Sequence, residues 1–252
     1  MTNLRTIGTA LALASCLMLS PASGSAQAIP DAPPGIVPVF SIWDVKLGEP
    51  VAQIDPRSVA EIACGTNGGP ASLPLVSFAD WAQCPPDERT GLHEVLFSYD
   101  DEVDYISRAL ELEYKATRGG TSVFANPVIV SVLVDDAGLA QGIRIFTDDR
   151  VSDMDRRNAV ALARNFQARY SGWGLECQDI PPRDGEMPVG NRFTHELCRG
   201  SDPSGSGVTI EIEASYLRKP GQEAVNRDTQ AVNTGYYESR TRFEMLTAAG
   251  AG

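Results

Sequence analysis

Four cysteines, Cys64, Cys84, Cys177 and Cys198, constrain this chain more than any other feature, because they follow a segment that reads as an export signal. Among residues 1–28 the only charge is Arg5; an apolar run from Ile7 to Leu19 follows, Pro21 ends it, and small residues close with Ala26, Gln27 and Ala28. A basic start, a short apolar stretch and an Ala-x-Ala site form a secretory signal peptide. The run is too short to remain in a bilayer as a spanning helix. Cleavage after Ala28 is expected, with Ile29 becoming the first residue. Leu13-Ala14-Ser15-Cys16 also resembles a lipoprotein signal anchored through Cys16, but the apolar run continues past that cysteine. The expected location is periplasmic or secreted, with no membrane span in the mature chain.

An even number of cysteines in an oxidising compartment reads as a disulfide framework. Four cysteines allow three pairings. Cys64–Cys84 and Cys177–Cys198 close the shortest loops and are the pairing expected. Each loop of about 20 residues would stabilise the fold by about 3 kcal/mol through chain entropy. A zinc site needs closer spacing than these cysteines have.

Removing 28 of 252 residues leaves 224, enough for one large domain or two small ones, with a real core. The formal charge of −12 becomes −13 without Arg5. Such acidity disfavours nucleic acid, whose phosphates it repels. It permits cation binding or a basic partner and demonstrates neither.

Residues 29–38 carry four prolines and read as an extended arm. A single domain over 39–246 follows, then a tail at 247–252 expected to be disordered. Within the domain, Val39–Val45 reads as a strand, and Gly48 and Pro50 mark a helix start. Ser58 and Glu61 match a capping box. A strand is expected over Leu92–Tyr99 and a helix over 102–114, capped by Asp100 and Asp101. Val128–Val134 and Ala140–Thr147 form the clearest hairpin, turning at Asp135-Asp136-Ala137-Gly138. Ser152 and Asp155 form a second capping box, before a helix whose apolar stripe is Ala159, Leu162, Ala163, Phe166 and Tyr170, stopped by Gly172. Gly207–Tyr216 and Tyr236–Leu246 alternate as strands, with Arg240 and Arg242 positioned to face Glu211 and Glu213. The pattern divides into halves, 39–134 and 139–246, each reading strand, helix, cysteine loop, strand, long connection, strand. Tandem duplication and a chance match both account for it. The fold class expected is α+β: helices packed on a mostly antiparallel sheet.

No complete catalytic motif is present. His93-Glu94 and His195-Glu196 each lack the second histidine of a zinc protease, since Phe97 and Arg199 stand in its place. Gly65–Gly69 lacks the lysine and strand-to-helix setting of a phosphate loop. Ser204 and Ser206 do not match a nucleophile elbow. Two acidic clusters remain: Asp100, Asp101, Glu102 and Asp104, and Asp148, Asp149, Asp153 and Asp155. Neither matches a calcium loop; both precede expected helices, where aspartates cap. Asp100, Asp101, Asp148 and Asp149 are thus weak metal candidates only. Trp43, Trp81 and Trp173, with Tyr236 and Tyr237, read as core rather than a ligand platform. No cofactor is expected. The leading expectation is a non-enzymatic binding or envelope-interaction protein with an envelope or secreted protein as partner. The alternatives are a carboxylate-dependent hydrolase acting on envelope polysaccharide, which needs two facing carboxylates in a cleft, and a weak cation-binding protein. Oligomeric state is not legible in the sequence.

Overall fold

The computed structural model describes residues 39–99, 121–150, 158–222, 224–225, 232–233 and 237–250. The strands are β1 (Glu61–Cys64), β2 (His93–Ser98), β3 (Ser122–Val123), β4 (Asn126–Val134), β5 (Ala140–Thr147), β6 (Glu176–Asp179), β7 (Thr194–Ser201), β8 (Thr209–Leu217), β9 (Ala224–Val225), β10 (Val232–Asn233) and β11 (Glu238–Leu246). Nine of them build one antiparallel sheet in the order β1-β2-β4-β5-β11-β8-β7-β6, with β3 on β4; β9 and β10 pair separately. From either edge the strands run inward in chain order, and the two sets of four meet at β5–β11.

The fold is mainly β, which corrects the expected α+β class. Among the described residues the one α-helix is α1 (Ala161–Arg169). Three strands account for much of the difference. β1, β6 and β7 lie where the sequence reads as a turn and as cysteine loops. They are short or charged, so their apolar alternation is weak, yet backbone pairing needs no particular side chain. Cys177 sits directly opposite Cys198 in the β6–β7 register, which makes the expected loop a hairpin.

Val39–Val45 is likewise not a strand. Ser41 and Asp44 cap a 3-10 turn over Ile42–Asp44, with the Ser41 amide donating to Asp44 Oδ2 at 2.8 Å. Beyond Pro50 only a 3-10 turn forms, Val51–Gln53. Asp55 caps the next, Pro56–Ser58, and Glu61 opens β1 instead of closing a capping box. Gly174, not Gly172, takes the left-handed φ of 64° after α1. The expected helix over 102–114, the Ser152–Asp155 box, the arm and the signal lie outside the described residues. Part of the expected tail is held: the Thr247 amide donates to Gln141 O at 2.8 Å, and Gly250 to Thr247 O at 3.0 Å.

Both disulfides have the expected pairing, Cys64–Cys84 and Cys177–Cys198. The first ties β1 to a 3-10 segment at Phe78–Gln83; the second links neighbouring strands.

Alternation gives the sheet two faces. One is apolar: Val95 and Phe97 of β2, Val130 and Val132 of β4, Ile143 and Ile145 of β5, Ile210 and Ile212 of β8, and Phe243 of β11 are all buried. α1 covers part of it with Leu162, Ala163 and Phe166, whose ring stacks on Phe243 at 4.3 Å. Phe78 covers the β2 side, edge-on to Phe97 at 5.5 Å. Each fully buried side chain of this size contributes about 1.5–3 kcal/mol. The edge at β1 is closed by residues 73–75, where the Cys64 amide donates to Leu73 O and the Leu75 amide to Ile62 O. The edge at β6 is exposed and carries Glu176 and Asp179, charges that discourage edge-to-edge pairing.

Candidate functional site

The second face of the sheet is charged, and much of it is buried. Register sets Arg199 opposite Glu211, Glu211 opposite Glu244, Glu244 opposite Arg144, and Arg144 opposite Ser131. One line of side chains therefore crosses β7, β8, β11, β5 and β4. Arg144 points here because it lies between Ile143 and Ile145, both committed to the apolar face.

Arg144 is fully buried among three carboxylates. Its Nε donates to Glu244 Oε2 at 2.8 Å, and its Nη1 to Glu94 Oε2 at 2.9 Å and Asp87 Oδ2 at 3.2 Å. Glu94 also accepts from Ser131 Oγ at 2.8 Å and from the Asn67 amide at 2.7 Å. Glu244 takes two further guanidinium bonds, from Arg89 and Arg242. Glu211 is shared by Arg199, at 3.0 Å, and Arg242, at 3.3 Å. Glu211 and Glu244, like charges directly opposite, would repel without these arginines.

Burial alone would raise the carboxyl of Glu244, but the Arg144 and Arg242 charges outweigh it and hold the group below its usual value. The same balance, with Arg144 as the counter-charge, lowers Asp87. Burial pulls Arg242 down; Glu244 opposes this, and the nearby Arg89 and Arg144 reinforce it.

Gly65–Gly69 is the cover of this network. A Cβ at Gly65 would meet Glu94 Cγ at 2.4 Å, and one at Gly68 would meet both Arg240 Nη2 and Phe146 Cδ2 at 2.4 Å. Only glycine lets the backbone lie so close to the charged face.

Two hollows open beside the network and share Arg89. The larger, about 640 Å3, is lined among others by Trp173, Arg199, Glu211, Glu244 and Ser201. The smaller, about 240 Å3, is lined by Phe146, Lys219, Arg240 and Arg242, with Glu213 and Glu238.

The other sequence candidates are scattered. His93 faces the apolar side, where Nδ1 lies 2.6 Å from Cys84 O and the ring meets Trp81 at 4.9 Å. His195 is on the charged face, with Nε2 3.0 Å from Glu213 Oε1. Four strands separate β2 from β7, roughly 24 Å at the usual strand spacing, so the histidines cannot share a metal. Asp148 is buried and bonded by Arg150 at 2.6 and 2.8 Å; Asp149 is exposed. Asp100 and Asp101 lie outside the described residues. Cys177, Cys198 and Glu196 place donor atoms within 4.8 Å, but both sulfurs are spent in the disulfide. Trp43 is exposed, with the Arg169 guanidinium 4.7 Å above its ring, while Trp173 packs on Tyr170 and Tyr237 on Tyr216. They form no common platform; Tyr236 is not described.

Sequence reasoning missed Arg144, Asp87, Arg89 and Glu244, and met Glu94 only as part of a failed zinc motif. One signal was present. Arg144 stands inside an apolar strand, and a charge buried there must have a partner.

Comparison with protein-family models, with curated proteins and with solved structures finds no match for this chain. Fold and site alone define its class: a disulfide-crosslinked, mainly β protein whose sheet has one apolar and one ion-paired face.

Proposed function

We propose that this chain is a non-enzymatic binding module of the periplasm or the secreted space, and that the larger cleft on its charged face is the binding surface. Two disulfides are compatible with that location. Among the described residues no helix is long and apolar enough to cross a membrane.

The observation that carries the reading is the state of the cleft carboxylates. Glu211 and Glu244 both line it, as neighbours on adjacent strands, and are the carboxylate pair a hydrolase of this kind would have to use. An acid catalyst needs a raised pKa, and Glu244 is held below its usual value by the charges of Arg144 and Arg242. A nucleophile needs a free oxygen. Glu244 is buried and takes three guanidiniums, and Glu211 takes two. The carboxylates orient arginines and are not poised for reaction. Arg89 and Arg199 are the exposed ends of this array, available to a partner with complementary charge.

Capture of partners from periplasmic and membrane extract by the tagged chain, compared with Arg89→Ala/Arg199→Ala, tests this. A stoichiometric partner retained by the wild type and lost by the variant is expected. A partner retained equally by both, or hydrolysis of envelope polysaccharide by the wild type, overturns it.

A further inference from the structure

The smaller hollow contains an arginine that the ion-pair network does not use. Arg89 and Arg242 reach Glu244, Lys219 is paired with Glu238, and Glu213 is engaged by His195. Arg240 has no carboxylate within ion-pair distance among the described residues. Its polar contacts are two long approaches of Nη2, 3.5 Å to Asn67 O and 3.4 Å to Gly68 O. The group is nevertheless held. Its guanidinium lies 4.3 Å from the centre of the Phe146 ring, and the Gly68 backbone abuts this pair so closely that a Cβ would strike both Nη2 and the ring at 2.4 Å. A guanidinium packed on an aromatic ring keeps its in-plane donors available, and here only Nη2 is engaged, through those two long contacts.

The surroundings add to this. The hollow is lined by four cations, Arg89, Lys219, Arg240 and Arg242, against two carboxylates, Glu213 and Glu238, in a protein whose overall charge is −12. Both carboxylates already have partners: Glu213 with His195, and Glu238 with Lys219 and Ser215 Oγ. Arg242 Nε is buried with no partner among the described residues. Repulsion among these cations falls when an anion enters.

We propose that this hollow binds a small oxyanion, a carboxylate or a phosphate group, through the preformed fork of Arg240, with Lys219 and Arg242 as flanking charges. Its volume of about 240 Å3 fits a single such group and not a large ligand. The inference deepens the binding-module reading and rests on it. It supplies the subsite that would hold the acidic end of a ligand whose remainder lies in the larger cleft, since Arg89 lines both hollows.

Calorimetric titration of the protein with sodium succinate, and separately with inorganic phosphate, at constant ionic strength tests it. Saturable one-site binding of at least one anion is expected, and the one that binds identifies the source chemistry. Arg240→Gln should weaken it at least tenfold. Arg240→Lys, which keeps the charge and loses the fork, should also weaken it, and it keeps the experiment readable should the glutamine variant fail to fold. Arg57→Gln, at an exposed arginine paired with Asp55 elsewhere, should leave affinity unchanged. The proposal is overturned if neither anion saturates, or if both Arg240 variants bind like the wild type. Should neither anion bind while partner capture still depends on Arg89 and Arg199, the oxyanion subsite alone is lost. Should an anion bind through Arg240 while no partner is captured, the cleft reading falls and the subsite stands.

Discussion

On β5, Ile143 and Ile145 point to one side of the sheet and Arg144 to the other, and all three are buried. Their neighbours differ in kind. The isoleucines join a cluster running from Ile42 to Phe243, in which any apolar contact of the right volume serves. Arg144 meets three carboxylates from a loop and two other strands, each at a set distance. One face is held by area removed from water, which is non-directional. The other is held by charges whose desolvation cost is offset only while every partner is in place. The same strands thus carry a tolerant face and an exacting one, and it is beside the exacting one that both hollows open.

Removing one side chain from each face should have the largest effect. Phe243→Ala and Arg144→Ala should each cost about 3–5 kcal/mol at pH 7. The two losses should then separate with pH. Glu244 and Asp87 are held below their ordinary values of 4.5 and 3.8. A depressed carboxyl stabilises the fold above its unfolded pKa, and that contribution is lost as pH falls through the folded pKa. The wild type should therefore lose stability below about pH 4. Arg144→Ala should lose less on acidification, because its stranded carboxylates can take up protons. The cost of Phe243→Ala should stay nearly constant. Urea unfolding at neutral and acid pH reads all three. An Arg144→Ala penalty that does not shrink in acid would show the charged face to be held by packing instead.

A somewhat smaller effect is expected from the crosslinks, which act mainly through the unfolded chain although Cys64, Cys84 and Cys198 are buried with the apolar face. Replacing either pair, Cys64/Cys84 or Cys177/Cys198, with alanines should cost about 3 kcal/mol, because the loops span nearly equal lengths of 20 and 21 residues. A thermal melt of each double variant checks it. A much larger loss for Cys64/Cys84, whose sulfurs are buried, would mean that the bond also packs the apolar face.

Two glycines differ in what surrounds them. Both have positive φ, 82° at Gly68 and 69° at Gly91, but an added Cβ meets Arg240 and Phe146 at the first and open space at the second. Gly91→Ala should cost about 1 kcal/mol from backbone strain alone, and Gly68→Ala about 2–3 kcal/mol. Equal melting temperatures would show that the loop does not seal the network. The least effect should come from the rim. Arg199 is largely exposed, so Arg199→Ala should change stability by under about 1 kcal/mol.

Several parts of this structure were legible in the residues themselves. The β4–β5 hairpin shows because an apolar run, a turn ending in glycine and a second apolar run are contiguous. The stripe on α1 shows because Leu162, Ala163 and Phe166 repeat at helical spacing. β8 and β11 alternate visibly, and their antiparallel pairing is as expected. Its register places Arg242 opposite Glu213 and Arg240 opposite Ser215, and Arg242 bonds the diagonal Glu211. β6 escaped notice because it is four residues long and exposed throughout. β7 did so because the buried His195 and exposed Arg199 on one face and Glu196 on the other blur the period.

What the sequence determined alone is local: turns set by glycine and aspartate, faces set by alternation, and a disulfide pairing set by the shortest loops. The charged row was decided only by tertiary structure. Arg144 and Glu244 lie 100 residues apart, and Arg240 lies 172 residues from Gly68. No local pattern encodes such pairings. The row itself follows from strand register across β5, β11 and β8, where a slip of one residue would turn every charge of this row toward the apolar core.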